Sequence, residues 1–154
     1  MNTNFTFLTE MFPELEKTGS LAEGYLYSDP NTCLFKLGAF AEIMVNYMFD
    51  LDNLEPPETD NTHANRLRTL WQAGYLPQDI NDIFYVLRKK RNDAVHLGYD
   101  SLEACKTLLQ LAHTLSVWFM QVKENVKTSA VKISALGAVM VHFGHGKPVR
   151  NRNW

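Results

Sequence analysis

The sequence is poor in cysteine, in excess charge and in long apolar runs. Two cysteines among 154 residues predict neither a disulfide framework nor a cysteine-rich metal site. Lysine and arginine number 15 against 17 aspartates and glutamates, which gives a net charge of −2. This balance argues against a protein that attracts nucleic acid or anionic membrane over its whole surface, so any basic site must be local.

No apolar run reaches the roughly 18 residues of a membrane span. The first ten residues, MNTNFTFLTE, lack the basic and apolar regions of a signal peptide. We therefore expect a cytoplasmic protein with no membrane partner. Cys33 and Cys105 each lie within an apolar helical pattern, which predicts small buried side chains.

What the sequence does contain is apolar residues at helical spacing. Residues 4–17 carry such a pattern, which Pro13 is expected to kink or divide, with Thr18 and Gly19 as a stop. Ser20 and Glu23 then have the spacing of a capping box, which predicts a second short helix over residues 20–27. Both would be additions at the N-terminus of the fold.

Four longer segments follow, each with its own start or stop signal. Asp29 and Pro30 predict the start of a long helix that reaches about Leu51, and the acidic stretch 52–61 with two prolines predicts a loop. The next helix is predicted to begin at an N-cap, Asn61 or Thr62, and to end at a left-handed Gly74. A further helix is predicted to begin at Pro77 and to end by Gly98. The last helix is predicted to begin at Ser101 and to run through Val122.

This pattern predicts an all-α fold, a four-helix bundle with additional N-terminal helices. We expect residues 1–127 to form the bundle domain. Residues 128–154 have weak periodicity and a polar end, so we expect a partly mobile C-terminal extension, in which residues 130–143 form a helix or a short β-like segment.

The polar segment 88–96 (RKKRNDAVH) concentrates four cations, an amide and an imidazole in nine residues. On an unbroken helix Arg91 shares a side with the apolar residues Leu87 and Ala94. Because a guanidinium keeps its charge on burial, Arg91 needs a carboxylate, a bound phosphate or a wet cleft. Glu42, which interrupts the apolar stripe of the first long helix, is the candidate carboxylate or a supporting polar partner.

Arg88, Asn92 and His96 are spaced by fours and form a polar ridge beside Arg91. On a straight helix Arg91 and His96 lie about 140° apart with a rise of roughly 7.5 Å, too far for a direct hydrogen bond in most rotamers. Either the helix breaks near Asn92, or the two side chains meet across a substrate or a dimer axis. The alternative roles are a helix-end cap for His96 and a solvated face for Lys89 and Lys90.

The remaining histidines and aromatic residues point to packing. His113 is expected to lie in the core. Trp71 is expected to pack in the core as well, and not to stack on bases. His142 and His145 are two histidines without further ligands, which falls short of a metal site. We therefore predict no metal and no cofactor.

Residues 91–96 (RNDAVH) resemble the signature of the HEPN superfamily, an arginine followed after four to six residues by histidine. Over about residues 4–122 the chain also resembles the N-terminal helical domain of type I restriction enzyme R subunits and related helicase-like proteins. The matching stretches are 12–15 (FPEL), 27–37 (YSDPNTCLFKL), 40–42 (FAE), 87–89 (LRK) and 92–96 (NDAVH). Two positions depart from that pattern, which has arginine where this chain has Gly38 and glycine where it has Arg91.

The resemblance implies a helical bundle, frequent homodimers and, in active members, RNA cleavage without metal. Cleavage through the 2′-hydroxyl needs a base or hydroxyl-orienting group and a cation for the developing charge. These roles suit His96 and Arg91, with Asn92 orienting the phosphate, whereas the restriction-subunit branch would place its basic residue at Arg88. The resemblance does not extend to the helicase and nuclease parts of a restriction subunit, so we expect the chain to be either a fragment or a stand-alone relative.

Three functional hypotheses follow. The first is a nucleic-acid-interacting or assembly domain of a restriction or anti-phage defence system, which binds RNA or DNA through Arg88, Lys89 and Lys90 and associates with helicase or restriction subunits. The second is a metal-independent endoribonuclease that uses Arg91, His96 and Asn92. The third is a structural homodimerisation domain without catalysis.

Overall fold

The computed structural model describes the backbone of residues 2–135 and the side chains of residues 2–124. Within that part the chain forms a 3-10 turn, Thr6–Leu8, and five α-helices and no strand. The helices are α1 (Pro13–Tyr25), α2 (Pro30–Leu51), α3 (His63–Gln72), α4 (Gln78–Leu97) and α5 (Leu102–Ala135). The predicted all-α class is confirmed.

Helix α2 is the centre of the bundle, because it packs against α1, α3, α4 and α5. Its broad apolar stripe explains this position, since Leu37, Ala41, Met44 and Met48 are almost wholly buried. The core also contains four fully buried phenylalanines from different parts of the chain, Phe5, Phe40, Phe84 and Phe119. The buried Cys33 and Cys105 are free thiols, as their apolar surroundings predicted.

The predicted starts of α2 and α3 and the predicted ends of α3 and α4 are confirmed by their caps. The carboxylate of Asp29 accepts from the backbone N–H of Thr32 at the start of α2, and the hydroxyl of Thr62 accepts from that of Asn65 at the start of α3. Gly74 and Gly98 follow α3 and α4 with φ of 80° and 66°, the left-handed conformation that glycine adopts without a Cβ clash.

The N-terminal prediction is wrong in one respect, because α1 runs without interruption through the predicted stop at Thr18 and Gly19. Gly19 is buried in the helix because the ring of Phe5 lies against it. A Cβ on this residue would lie 2.7 Å from Cγ of Phe5. The glycine thus serves close packing, and the separate helix predicted over residues 20–27 is the continuation of α1. Pro13 begins α1 after the 3-10 turn, so the segment 4–17 is divided there as predicted.

Helix α5 continues across residue 127 to Ala135, so the predicted extension begins inside a helix. The division into a domain and an extension stays a prediction, and residues 136–154, with His142 and His145, lie outside the described residues. Among the described helices, none has the length and apolar character needed to cross a membrane.

Candidate functional site

A cleft of about 230 Å³ lies where α2, the start of α3 and α4 meet. Its walls carry four of the predicted site residues together with a histidine. The lining residues are Gly38, Glu42, Thr62, His63, Ala64, Arg88, Arg91 and Asn92. We call this the arginine cleft.

Arg91 reaches the arginine cleft because Gly38 leaves room for its stem. A Cβ built on Gly38 would lie 2.5 Å from Cβ of Arg91 and 3.2 Å from its Cδ, distances at which carbon atoms overlap. The aliphatic part of Arg91 therefore lies directly on the backbone of α2. This contact buries the methylene groups and leaves the guanidinium at the cleft.

Neither arginine of the cleft is neutralised by a carboxylate. Among the described residues, none of the ion pairs within 4.0 Å includes Arg88 or Arg91. The Arg91 Nη1 donates to Oδ1 of Asn92 at 3.3 Å, and its guanidinium lies 5.3 Å from the ring centroid of Phe35. The Arg88 guanidinium lies 5.6 Å from the ring centroid of Tyr85. Both cations keep hydrogen-bonding capacity for an anion.

Glu42 lines the same cleft, but the ion pair considered for it with Arg91 is not formed within 4.0 Å. The carboxylate is partly exposed on α2, one helical turn after Gly38. It therefore lowers the positive potential of the arginine cleft without removing either cation from it.

His63, which the sequence did not single out, supplies the imidazole of this cleft. Its Nε2 is buried and has no hydrogen-bond partner within the described part of the chain. Burial, followed by the positive charges of Arg88, Arg91 and Arg66, lowers the pKa of His63 from 6.5 to about 4. The ring is therefore neutral at physiological pH and can offer one donor and one acceptor.

The start of α3 borders the cleft as well, through Thr62, His63 and Ala64. Thr62 caps the N–H of Asn65, while the first N–H groups of a helix have no partner within the helix itself. The positive end of the α3 dipole therefore adds to the two guanidinium charges. The only sequence signal for His63 was its place after a predicted N-cap, and that signal says nothing of a neighbouring helix.

His96 does not join Arg91 in the arginine cleft. Helix α4 is continuous from Gln78 to Leu97, so the alternative of a break near Asn92 is wrong. His96 is exposed in the last turn and lies outside the cleft lining. A joint action of Arg91 and His96 would have to cross a bound molecule or a second copy of the chain.

The two lysines of the segment also lie outside the cleft lining. Lys89 is exposed. Lys90 forms an ion pair with Asp93 at 3.8 Å, and its Nζ lies 4.5 Å from the ring centroid of Tyr99. Of the predicted basic residues, the structure brings together Arg88 and Arg91, with Asn92 beside them.

A larger cleft of about 500 Å³ lies on another side, between the N-terminal segment, α1 and α5. Its carboxylate, Glu23, already accepts hydrogen bonds from the backbone and side chain of Asn4. The ring of His113 packs edge-on against Phe5 and Phe7. Glu23 thus already has hydrogen-bond partners and His113 packs against aromatic rings, so the arginine cleft, with Arg88 and Arg91 on its lining, is the better candidate site.

Comparison with known proteins shows that part of this chain is similar in sequence to a restriction enzyme subunit. The chain is 32% identical over 117 residues to the type I restriction enzyme EcoKI endonuclease subunit of Escherichia coli strain K12. The aligned region is 76% of this chain and 10% of that subunit. No family model and no solved structure matches the chain. Most of this helical chain is therefore related to a segment of about one tenth of a restriction enzyme endonuclease subunit.

Proposed function

We propose that this chain is a nucleic-acid-binding domain of a restriction system and that it binds a backbone phosphate in the arginine cleft. The observation that carries the proposal is the pair of guanidinium groups, Arg88 and Arg91, which line one cleft and have no carboxylate within 4.0 Å among residues 2–124. Asn92 adds an amide beside them.

The chemistry of the cleft suits a phosphate oxyanion. Arginine presents a rigid fork of donors that matches two phosphate oxygens, and hydrogen bonds between charged groups are the stronger ones. The start of α3 adds the positive end of its helix dipole, which has the same sign as the two guanidinium groups. His63 stays neutral, so it does not need a counter-ion of its own.

The restriction-system role is supported by the aligned endonuclease subunit, which is much longer than this chain. A HEPN-like bundle, association with helicase or restriction subunits, and homodimer formation are further proposals that rest on the resemblance of the sequence. The endoribonuclease hypothesis likewise stays a prediction, to be tested by incubating the protein with structured RNA in EDTA.

The test of binding is fluorescence anisotropy of labelled single-stranded and duplex oligonucleotides, titrated with the full chain. Loss of a charged hydrogen bond predicts that Arg88→Ala and Arg91→Ala each weaken binding by about 10-fold or more. Added salt should also weaken binding, because phosphate contacts release counterions.

Lys89→Ala is the matched control, because it removes the same charge from the next residue of α4 outside the cleft. It should change the affinity by less than about 2-fold. Equal losses for Lys89→Ala and Arg88→Ala would refute a localised cleft and favour a diffuse basic surface. Circular dichroism melting of each variant separates lost binding from lost folding.

A further inference from the structure

We propose that the arginine cleft continues into a base-stacking surface, so that the site binds an unpaired nucleotide of a single strand. This inference rests on the proposed phosphate binding and goes beyond it by naming the ligand as unpaired. It is carried by a second cleft that adjoins the first and by the exposed tyrosine in that cleft.

The second cleft, of about 200 Å³, lies between α3 and α4. It shares two lining residues with the arginine cleft, Arg88 and Ala64. Arg88 therefore stands between the two spaces, and one bound molecule can occupy both. Because they share this wall, the two clefts lie side by side along α4, and we call the pair the track.

The two ends of the track differ in chemistry. The arginine cleft offers charged donors, whereas the second cleft offers aromatic surface from Tyr85 and Trp71 and the amide of Asn81. Trp71 is partly buried against the core, in agreement with its predicted packing role. Tyr85 is 54% exposed, so part of its ring is accessible to a bound molecule.

Arg88 already lies over the ring of Tyr85, with its guanidinium carbon 5.6 Å from the ring centroid. A guanidinium plane and an aromatic ring are the two surfaces on which proteins stack unpaired bases. Asn81 can read a base edge, since its amide both donates and accepts. Arg68, exposed at the same cleft, adds a further cation.

This arrangement favours a single strand over a duplex. The bases of a duplex stack on each other, and their faces are closed to a protein side chain. A strand with free bases can place its phosphate at Arg88 and Arg91 and its base on Tyr85. The same chemistry occurs in DNA and in RNA.

The test compares the full chain with a Tyr85→Ala variant by anisotropy on strands of about 12 nucleotides, within the usual site size of such surfaces. The ligands are single-stranded DNA, single-stranded RNA, a duplex hairpin and a strand of abasic sites, which keeps the phosphates and lacks the bases. Loss of base stacking predicts that Tyr85→Ala weakens single-strand binding by about 5- to 100-fold. Tyr85→Phe keeps the ring and should keep the affinity within about 2-fold.

Two further comparisons make the test specific. Tyr85→Ala should leave abasic-strand binding and the salt dependence unchanged, whereas Arg91→Ala should reduce the salt slope by about 0.7 for each phosphate that it leaves without a cation. Tyr27→Ala is the matched control, because Tyr27 is 76% exposed, has Lys106 over its ring at 5.8 Å and lies outside the lining of both clefts. It should bind as the unsubstituted chain does.

The possible failures are distinct. If Arg91→Ala weakens binding but Tyr85→Ala does not, or if the hairpin binds as tightly as the single strand, the stacking surface is refuted and phosphate binding remains. If none of the ligands binds, both proposals fail. Tighter binding of either the DNA or the RNA strand supports the track and identifies the sugar.

Discussion

Gly38 and Arg91 face each other across the contact of α2 with α4. Glycine on α2 makes room for the aliphatic stem of Arg91, which enters the contact from α4. The position of the Arg91 guanidinium therefore depends on a residue of the opposite helix.

This contact predicts that Gly38→Ala destabilises the fold. The new Cβ would overlap Cβ of Arg91, which cannot rotate away because it is attached to the backbone of α4. We expect a loss of about 1–3 kcal/mol in the free energy of unfolding, measured by urea denaturation. Adding Arg91→Gly should recover most of this loss, although the glycine itself costs about 1 kcal/mol in a helix.

Gly24→Ala is the control for that experiment, because a Cβ at Gly24 of α1 meets nothing within 4 Å. It should leave stability unchanged or raise it by about 0.5–1 kcal/mol, since alanine favours a helix. A Gly38→Ala variant as stable as Gly24→Ala would contradict the close approach of the two helices.

The depressed pKa of His63 predicts a pH dependence of stability. The imidazole has a pKa of about 4 in the folded chain and an ordinary value of 6.5. Below pH 6.5 the imidazole binds a proton in the unfolded chain, whereas in the folded chain it stays neutral until the pH nears 4. The contribution of His63 to the free energy of unfolding is therefore complete above pH 6.5. About 2 kcal/mol of that free energy is lost by about pH 5.

His63→Gln should lack this dependence, because glutamine does not titrate. The measurement is the difference in unfolding free energy between about pH 7.5 and pH 5, by urea denaturation of both proteins. Carboxylates titrate in both, so the difference between the two proteins isolates His63. Identical pH dependences would show that the imidazole is not buried beside the arginines.

At the scale of helices, one buried ion pair ties the end of α2 to α5. Nζ of Lys123 lies 3.2 Å from Oδ2 of Asp52, and the two side chains are 8% and 4% exposed. Burial raises the pKa of Asp52, and the charge of Lys123 partly offsets that effect. The pair holds two charges that neither helix could bury alone.

Asp52→Asn is therefore expected to cost about 3–5 kcal/mol, because it leaves the Lys123 ammonium buried without a counter-charge. The double substitution Asp52→Asn and Lys123→Met should recover most of that loss. The exposed pair of Glu103 and Lys106 is the control, and Glu103→Gln should change stability by less than about 1 kcal/mol. Thermal or urea unfolding measures all three, and equal costs at both pairs would contradict the burial.

Helix boundaries were predictable where a local signal determines them. Asp29, Thr62, Gly74 and Gly98 act within a few residues of their own position, so their role follows from the sequence around them. Gly19 is a residue type that often ends a helix, but here it lies inside α1 because the ring of Phe5 packs against it from outside the helix. The sequence around Gly19 carries no signal of such a contact.

At the scale of the molecule, the arrangement of charge matters more than its sum. The net charge is −2, yet the arginine cleft holds one carboxylate and two arginines that form no ion pair with the side chains that the structure describes. Removing the Glu42 carboxylate should therefore strengthen phosphate binding by about 5-fold, because two like charges in one cleft repel by about 1 kcal/mol. Anisotropy with a labelled single strand measures the change, and the melting temperature should stay the same.

Glu10→Gln changes the net charge by the same amount at an exposed position outside the arginine cleft. If the sum of charges governed binding, both variants would bind equally well. We expect Glu42→Gln to bind more tightly than Glu10→Gln, and the reverse order would contradict a phosphate site at this cleft.

The sequence by itself determined the helical class, the ends of α2, α3 and α4, and the segment that carries Arg88, Arg91 and Asn92, because propensity, capping and apolar period act over a few residues. Only the tertiary structure decided which side chains share a site. It separated His96 from Arg91 because α4 is continuous, and it brought His63 to the cleft by packing the start of α3 beside α4. That contact joins residues far apart along the chain, and it depends on how helices pack rather than on where they begin and end.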